Sequence, residues 1–194
     1  MGEDRFPRSD AMRHRSDLQN IVAASPLRLE ALAAVAALGL PDCWIAAGFV
    51  RDTVWDDAHG FGVRPPIGDV DVVWFDSARA DAGADRAIEA DLRAAMPQLN
   101  WSVKNQARMH ERNGDAPYAS VADAMRHWPE TATAVAVRLR DDGAMEINAP
   151  FGLDDLFGLL LRPSPHFADV KRSIFDARVA AKQWVRRYPR LVLA

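Results

Sequence analysis

Cysteine is almost absent from this chain, and it has no long hydrophobic run. Cys43 is the only cysteine, so an intramolecular disulfide and a zinc site built on cysteines are excluded. The longest aliphatic stretches, near residues 32–40 and 156–161, are far shorter than the roughly 20 residues that span a bilayer. The N-terminus lacks the apolar segment of a secretory signal peptide. We therefore expect a cytoplasmic protein with no membrane partner.

The chain also lacks a dominant charge. Its 194 residues carry 24 Lys and Arg against 27 Asp and Glu, for a formal net charge of −3, so no global positive field attracts nucleic acid. Hydrophobic residues make up 49%, which is ordinary for a globular protein. The length fits one domain. We predict a single domain over residues 1–194, with an N-terminal helical extension over 1–25 and a C-terminal helix over 166–190.

Local patterns predict an alternation of helices and strands. Gly and Pro cluster between residues 60 and 68, which predicts a loop there. Asp141-Asp142-Gly143 is a strong turn signal between two short strands. The predicted helices are 9–24, 26–38, 49–58 and 78–95, and the predicted strands are 43–46, 69–75, 100–103, 133–140 and 144–148. This order favours an α+β fold, a mixed sheet flanked by helices, over a regular doubly wound sheet.

The segment Asp69-Val70-Asp71 carries the strongest chemical signal. Residues two apart on a strand point to the same face, about 7 Å apart along the chain. Neighbouring carboxylates repel each other, and a hard cation such as Mg²⁺ removes that repulsion by binding both. The apolar residues Val72 and Val73 indicate that the strand is buried. The alternative is a strand edge whose two exposed carboxylates cap the preceding loop.

A third acid, Glu146, lies on the second strand of the predicted hairpin. If that strand pairs beside residues 69–75, Glu146 completes a triad with Asp69 and Asp71. Three carboxylates can hold two ions about 3.5–4 Å apart, an arrangement that stabilises both the attacking and the leaving oxygen in phosphoryl transfer. The alternative is a strand glutamate that faces water.

The dipeptide Ala47-Gly48 lies between the first predicted strand and a helix. A glycine at such a turn lets the backbone approach a phosphate, and the helix N-terminus offers free N–H groups. Arg51, in the first helical turn, is predicted to reach a phosphate oxygen. The alternative is a structural turn in which Arg51 pairs with Asp52 or Asp56.

Two basic segments are further candidates for substrate binding. If residues 104–110 form a helix, Lys104 and Arg108 share a face and could hold the triphosphate or the acceptor. The alternative is a solvated basic face. The segment 166–190 combines seven Lys and Arg with Trp184 and Tyr188, a pattern that can bind RNA but also suits the solvated side of a packed helix.

The sequence 47–52, Ala-Gly-Phe-Val-Arg-Asp, is followed after a loop by Asp-Val-Asp-Val-Val at 69–73. This pair of motifs resembles the Gly-Gly-x-Val-Arg-Asp … Asp-x-Asp signature of the DNA-polymerase-β-like nucleotidyltransferase superfamily, as in the heads of tRNA CCA-adding enzymes. Segments at 104–110, 128–133 and 149–156 are similar to a bacterial nucleotidyltransferase-like family of unknown substrate within it. The resemblance covers about residues 40–190.

The resemblance implies a polymerase-β-like core and a nucleotide triphosphate bound through Mg²⁺ or Mn²⁺. A nucleotidyl group would pass to an acceptor hydroxyl on RNA, a protein or a small molecule. Asp69 and Asp71 take the positions of the metal ligands, Glu146 that of the third acid, and Gly48 that of the second glycine. Ala47 replaces the first glycine, which narrows the space for the triphosphate.

Two other functions stay open at this point. A nucleotide- or RNA-binding module could keep the same fold without turnover, and the replacement at Ala47 favours that alternative. A metal-dependent phosphohydrolase would use the same carboxylates with water as the acceptor.

Overall fold

The computed structural model describes residues 8–194, and the start of the predicted extension, residues 1–7, lies outside the described residues. Its helices are α1 (Arg8–Ala23), α2 (Pro26–Ala36), α3 (Gly48–Ala58), α4 (Ala82–Ala95), α5 (Met109–Asn113), α6 (Val121–Met125), α7 (Asp154–Phe157), α8 (Arg172–Lys182) and α9 (Trp184–Arg187). Its strands are β1 (Trp44–Ala46), β2 (Asp69–Trp74), β3 (Asn100–Asn105), β4 (Ala136–Leu139), β5 (Met145–Asn148), β6 (Leu160–Leu161) and β7 (Val192–Leu193).

Five strands form one mixed sheet in the order β3-β2-β1-β4-β5. The pair β2–β3 is parallel and is connected through α4, whereas β1 pairs antiparallel with β2 and with β4, and β4 with β5. The two short strands β6 and β7 pair separately. The predicted α+β fold, a mixed sheet flanked by helices, is confirmed.

The two faces of the sheet have different surroundings. Ile45, Val70 and Val72 point to one face and are completely buried in a core that includes residues of α2, α3 and α4. Because side chains alternate along a strand, Asp69 and Asp71 point to the opposite face. A smaller apolar cluster, to which α6 contributes, covers part of that second face. The remainder of it is available for a cleft.

Helix α1 is packed on the body of the molecule. Leu18 and Val22 are fully buried in the main core. Arg15 Nη2 and Gln19 Nε2 donate hydrogen bonds to the carbonyls of Ile147 and Met145 at 3.1 and 2.8 Å. The helix thus covers the outer edge of β5, whose unpaired carbonyls would otherwise be open to water or to another strand.

Two helices considered from the sequence differ from the structure. The predicted C-terminal helix over 166–190 is divided, because Gln183 has a φ of +54° between α8 and α9. The helix considered as a condition for residues 104–110 does not form: Lys104 belongs to β3, and Arg108 ends a short 3₁₀ turn over Gln106–Arg108. Strand pairing with β2 over six residues outweighs the local helical pattern here.

Candidate active site

A cleft of about 590 Å³ lies on the second face of the sheet, next to Asp71. Strands β2 and β3 contribute Asp71, Val73 and Lys104 to its wall, and the turn after β1 contributes Ala47. Helices α5 and α8 contribute Arg112 and Arg178, among others. The cleft is therefore lined by both carboxylate groups and several cationic side chains. This combination suits a polyphosphate bound through a metal ion.

Asp69 and Asp71 lie on the same face of β2, opposite Asn100 and Ser102 of β3. The Asn100 side-chain amide donates a hydrogen bond to Asp69, and the Ser102 side chain, opposite Asp71, lowers the pKa of that acid. Each acid thus has a polar neighbour on the adjacent strand, and Asp69 is hydrogen-bonded to its neighbour. Such supporting hydrogen bonds fix the direction in which a carboxylate presents its remaining oxygen lone pairs.

The pKa of Asp71 is raised above its ordinary value of 3.8. Burial is the largest cause, and the charge of Asp69 adds to it; the hydrogen bond from Ser102 and the charges of Arg51 and Arg178 oppose the shift. The ionised form of Asp71 is therefore destabilised, because the surrounding positive charge does not compensate for its burial. Two oxygen-donor groups on one face, one of them destabilised when ionised, fit a hard divalent cation.

The turn between β1 and α3 places the start of that helix beside Asp71. Ala46 is the register partner of Asp71, and α3 begins two residues later at Gly48. No side chain caps this N-terminus. The first N–H groups of a helix lack intrahelical acceptors, and together with the helix dipole they attract anions such as phosphates.

Ala47 has a strained backbone, with φ +54° and ψ −122°. Its N–H donates to the Val135 carbonyl at 2.9 Å, and its own carbonyl accepts from Val50 and Arg51 at 3.1 and 2.8 Å. These bonds hold the residue in a conformation that a side chain disfavours. The positive φ at this position explains why the Gly-Gly-x-Val-Arg-Asp signature has glycine where this chain has Ala47.

Ala47→Gly is expected to raise the free energy of unfolding by about 1 kcal/mol. Relief of strain of about 1–3 kcal/mol should exceed the roughly 0.5–1 kcal/mol by which glycine favours the unfolded chain. Urea denaturation of Ala47→Gly and of the control Ala46→Gly measures this. The control removes the same methyl from strand β1 and should destabilise; an equal loss at Ala47 would contradict the strain.

Arg51 does not reach the cleft, contrary to its predicted role in substrate binding. It is 5% exposed, its Nε and Nη2 donate to Asp52 Oδ1 at 2.9 and 2.7 Å, and its Nη1 donates to Thr133 Oγ1 at 2.9 Å. The guanidinium also lies 4.5 Å from the ring centre of Trp184. The alternative interpretation, pairing with Asp52 behind the turn, is the one that the structure shows.

The prediction that the Glu146 strand pairs beside β2 is wrong. Strands β1 and β4 lie between β5 and β2, which corresponds to about 14 Å at the usual strand spacing. Glu146 instead binds Arg138 Nε at 2.6 Å. We therefore remove Glu146 from the candidate metal ligands and from the catalytic residues. The predicted hairpin is confirmed, because β4 and β5 pair antiparallel. A turn signal, however, does not indicate which other strand the hairpin pairs with.

Lys104 and Arg108, the two basic residues predicted to bind substrate together, lie in different surroundings. Lys104 lines the cleft near Asp71, two residues from Ser102 on the same face of β3. Arg108 instead forms an ion pair with Asp85, which also accepts hydrogen bonds from Trp74 Nε1 and the Asn105 N–H. Trp74 points to the helix-covered face, so Arg108 belongs to the support of the sheet. Its predicted contact with substrate is not what the structure shows.

Arg178 is a cleft residue that the sequence patterns did not single out. Its Nε donates to Glu130 Oε1 at 2.7 Å, and Glu130 is completely buried. The charge of Arg178 also reaches Asp71, whose pKa it lowers. The only sequence feature that indicates a buried ion pair is Glu130 itself, which lies two residues before the mostly apolar segment 132–137. Nothing in the sequence indicated its partner 48 residues away.

A family model described as "Nucleotidyltransferase" matches residues 33–193. The chain belongs to this nucleotidyltransferase family. A comparison with curated proteins finds no match.

Solved structures show the same fold. One, whose description reports a CCA-adding enzyme head domain, is 33% identical with a TM-score of 0.79, and the match covers 91% of this chain and 95% of that one. A CCA-adding enzyme in complex with CTP is 14% identical with a TM-score of 0.58 over 91% of this chain and 43% of its own. The Bacillus stearothermophilus CCA-adding enzyme, also with CTP, gives 17% and 0.50 over 86% and 40%. The polymerase-β-like nucleotidyltransferase fold is thereby established, and this chain spans about two fifths of those CCA-adding enzymes.

Among the described residues 8–194, no helix is both long enough and apolar enough to cross a membrane.

Proposed function

We propose that this protein transfers a nucleoside monophosphate from a nucleotide triphosphate to an acceptor hydroxyl. The observation that carries the proposal is the pair Asp69 and Asp71, placed on one sheet face beside the uncapped start of α3. The raised pKa of Asp71, caused first by burial, indicates a carboxylate that needs a cation. Membership of the family supports nucleotidyl transfer in general.

In this proposal Asp69 and Asp71 hold Mg²⁺ or Mn²⁺, which would neutralise charge on the phosphates. The acceptor hydroxyl loses its proton to water and its oxygen forms a bond to the α-phosphorus. The bond from that phosphorus to the oxygen that bridges to the β-phosphate breaks, and pyrophosphate leaves. Lys104 and Arg178 line the same cleft and bind the phosphate oxygens of the triphosphate. Catalysis of this kind depends mostly on positioning and charge stabilisation.

The inert binding module is the second candidate function. Two observations favour it: the strained Ala47 at the turn, and the position of Glu146, which leaves the cleft without the third acid that the motif implied. Such a module would bind a nucleotide triphosphate and Mg²⁺ but release neither pyrophosphate nor a modified acceptor.

The acceptor and the cellular location stay predictions. RNA, a protein or a small molecule all offer hydroxyl groups, and the similar structures in complex with CTP make CTP the first nucleotide to test. A cytoplasmic location would supply both nucleotide triphosphates and Mg²⁺.

Labelling with two positions of the same nucleotide tests the proposal. The protein is incubated with Mn²⁺, a cell extract and a nucleotide triphosphate carrying a label at the α- or the γ-phosphate. Transfer predicts that an acceptor retains the α-label, with the γ-label released as pyrophosphate. Release of inorganic phosphate alone would indicate a phosphohydrolase. Binding with no release of either label would indicate the inert module and contradict the proposal.

A further inference from the structure

A cluster of metal-binding side chains lies on the same cleft, away from the β2 carboxylates. Asp115 follows α5, His127 follows α6, and His166 lies in the 3₁₀ turn over Pro165–Phe167. Their ligand atoms are all within 4.8 Å of one another. Three segments distant in sequence thus converge on one point, so the fold itself holds the cluster together.

We propose that Asp115, His127 and His166 form a second metal site, for a borderline transition ion such as Zn²⁺. Two imidazole nitrogens and one carboxylate oxygen are a donor set that Zn²⁺ accepts, whereas Mg²⁺ prefers oxygen alone. Three protein ligands leave one position for a water or substrate oxygen. Because Asp115 and His127 line the cleft, that position lies on the cleft.

The distances suit a tetrahedral ion. Bonds of about 2.0–2.2 Å separate the ligand atoms of such an ion by about 3.3–3.5 Å. His127 Nδ1 lies 3.4 Å from Asp115 Oδ2, and His166 Nε2 lies 3.0 Å from Asp115 Oδ1. These distances end on different oxygens of Asp115, so for either oxygen one edge to a histidine already has nearly the required length. The remaining edges, with all three ligand atoms within 4.8 Å of one another, need a contraction of at most about 1.5 Å.

His127 Nδ1 lies at salt-bridge distance from Asp115 but makes no hydrogen bond to it. That nitrogen is buried and has no hydrogen-bond partner within the described structure. A buried polar atom without a partner costs free energy, and a metal ion would supply that partner. Tyr118 supports the arrangement, since its hydroxyl donates to Asp115 Oδ2 at 2.5 Å and its ring packs 4.9 Å from that of His127.

Lys171 already places a positive charge in this cluster. Its Nζ lies 2.8 Å from His166 Nε2 and 3.3 Å from Asp115 Oδ1. The ammonium group occupies the region between two of the ligand atoms, where a cation is electrostatically favoured. Lys171 is therefore a competitor of the metal ion, and a flexible side chain at the protein surface can move away when the ion binds.

Titration with Zn²⁺ and Co²⁺ in the presence of excess Mg²⁺ tests this site, using Asp71→Asn so that the β2 carboxylates do not contribute. We expect one Zn²⁺ per chain and, with Co²⁺, visible absorption typical of tetrahedral coordination. His166→Ala and His127→Gln should lose the ion, whereas His14→Ala, on α1, should retain it. Tyr118→Phe should weaken binding about 10-fold or more, as expected for a residue that orients a ligand.

Lys171→Met separates the metal site from a simple ion-pair cluster. We expect this variant to bind Zn²⁺ at least about tenfold more tightly, because it removes a competing cation. Circular dichroism melting confirms that each variant is folded. The proposal is overturned if neither the parent nor Lys171→Met binds one Zn²⁺, or if binding survives replacement of both histidines. Since no nucleotide is involved, failure of this site would not bear on nucleotidyl transfer.

Discussion

Asp71→Asn is expected to abolish the response to Mg²⁺ and to reduce nucleotide transfer by about 10³-fold or more. Loss of several kcal/mol of charge stabilisation costs a factor of ten for each 1.4 kcal/mol. In the wild type, Mg²⁺ at 100 times its dissociation constant should stabilise the native state by about 2.7 kcal/mol. That corresponds to about 2–4 °C in melting temperature for each kcal/mol in a protein of this size.

Without metal, the same substitution should stabilise the protein at neutral pH. The pKa of Asp71 is raised above 3.8 in the folded state. The contribution of this one group to stability is therefore fully present below pH 3.8 and is lost as the pH rises through the folded-state pKa. Asparagine removes that loss. The melting temperature of Asp71→Asn should therefore exceed that of the wild type at pH 7–8, with no such gain near pH 3.

Asp91→Asn is the matched control, because Asp91 is exposed on α4. It should leave the Mg²⁺ response, the transfer rate and the metal-free melting temperature close to those of the wild type. An undiminished response to Mg²⁺ in Asp71→Asn would show that the ion binds elsewhere. Undiminished transfer would remove catalysis from this cleft altogether.

Local sequence signals predict the elements of the candidate site but not how those elements assemble. The strand of Asp69 and Asp71, the turn at Gly48 and the hairpin of Glu146 each follow from residues close together in the chain. The order of the strands does not. Asp141-Asp142-Gly143 specifies a hairpin, but it is pairing of β4 with β1 that moves Glu146 to the far edge of the sheet.

Long-range pairing also decides the role of each arginine. Arg51 and Arg178 are both basic residues near the cleft, and the sequence favoured the first as a substrate ligand. The structure buries Arg51 against Asp52 and Thr133, whereas Arg178 remains at the cleft. The choice depends on Glu130 and Thr133, which reach the site only after the chain has folded. Spacing within one helix carries no information about such partners.

Replacing Arg178 with methionine is expected to lower the free energy of unfolding by about 3 kcal/mol. Glu130 has none of its surface exposed, and breaking a buried ion pair by removing one partner costs about 3–5 kcal/mol. We expect the lower end of that range because the Arg178 side chain is 35% exposed, so water can enter in its place. Urea denaturation measures the loss.

Arg172→Met is the matched control on the same helix. Arg172 pairs with Asp176 at 3.0 Å, but both side chains are exposed, and surface pairs of this kind contribute about 0–1 kcal/mol. The double variant Glu130→Met/Arg178→Met should recover much of the lost stability, because it leaves no uncompensated charge in the interior. If Arg178→Met were no less stable than Arg172→Met, the ion pair between Glu130 and Arg178 would not stabilise the wall of the cleft. The double variant should bind nucleotide triphosphates more weakly than the wild type. It recovers stability but lacks the Arg178 cation that lines the cleft.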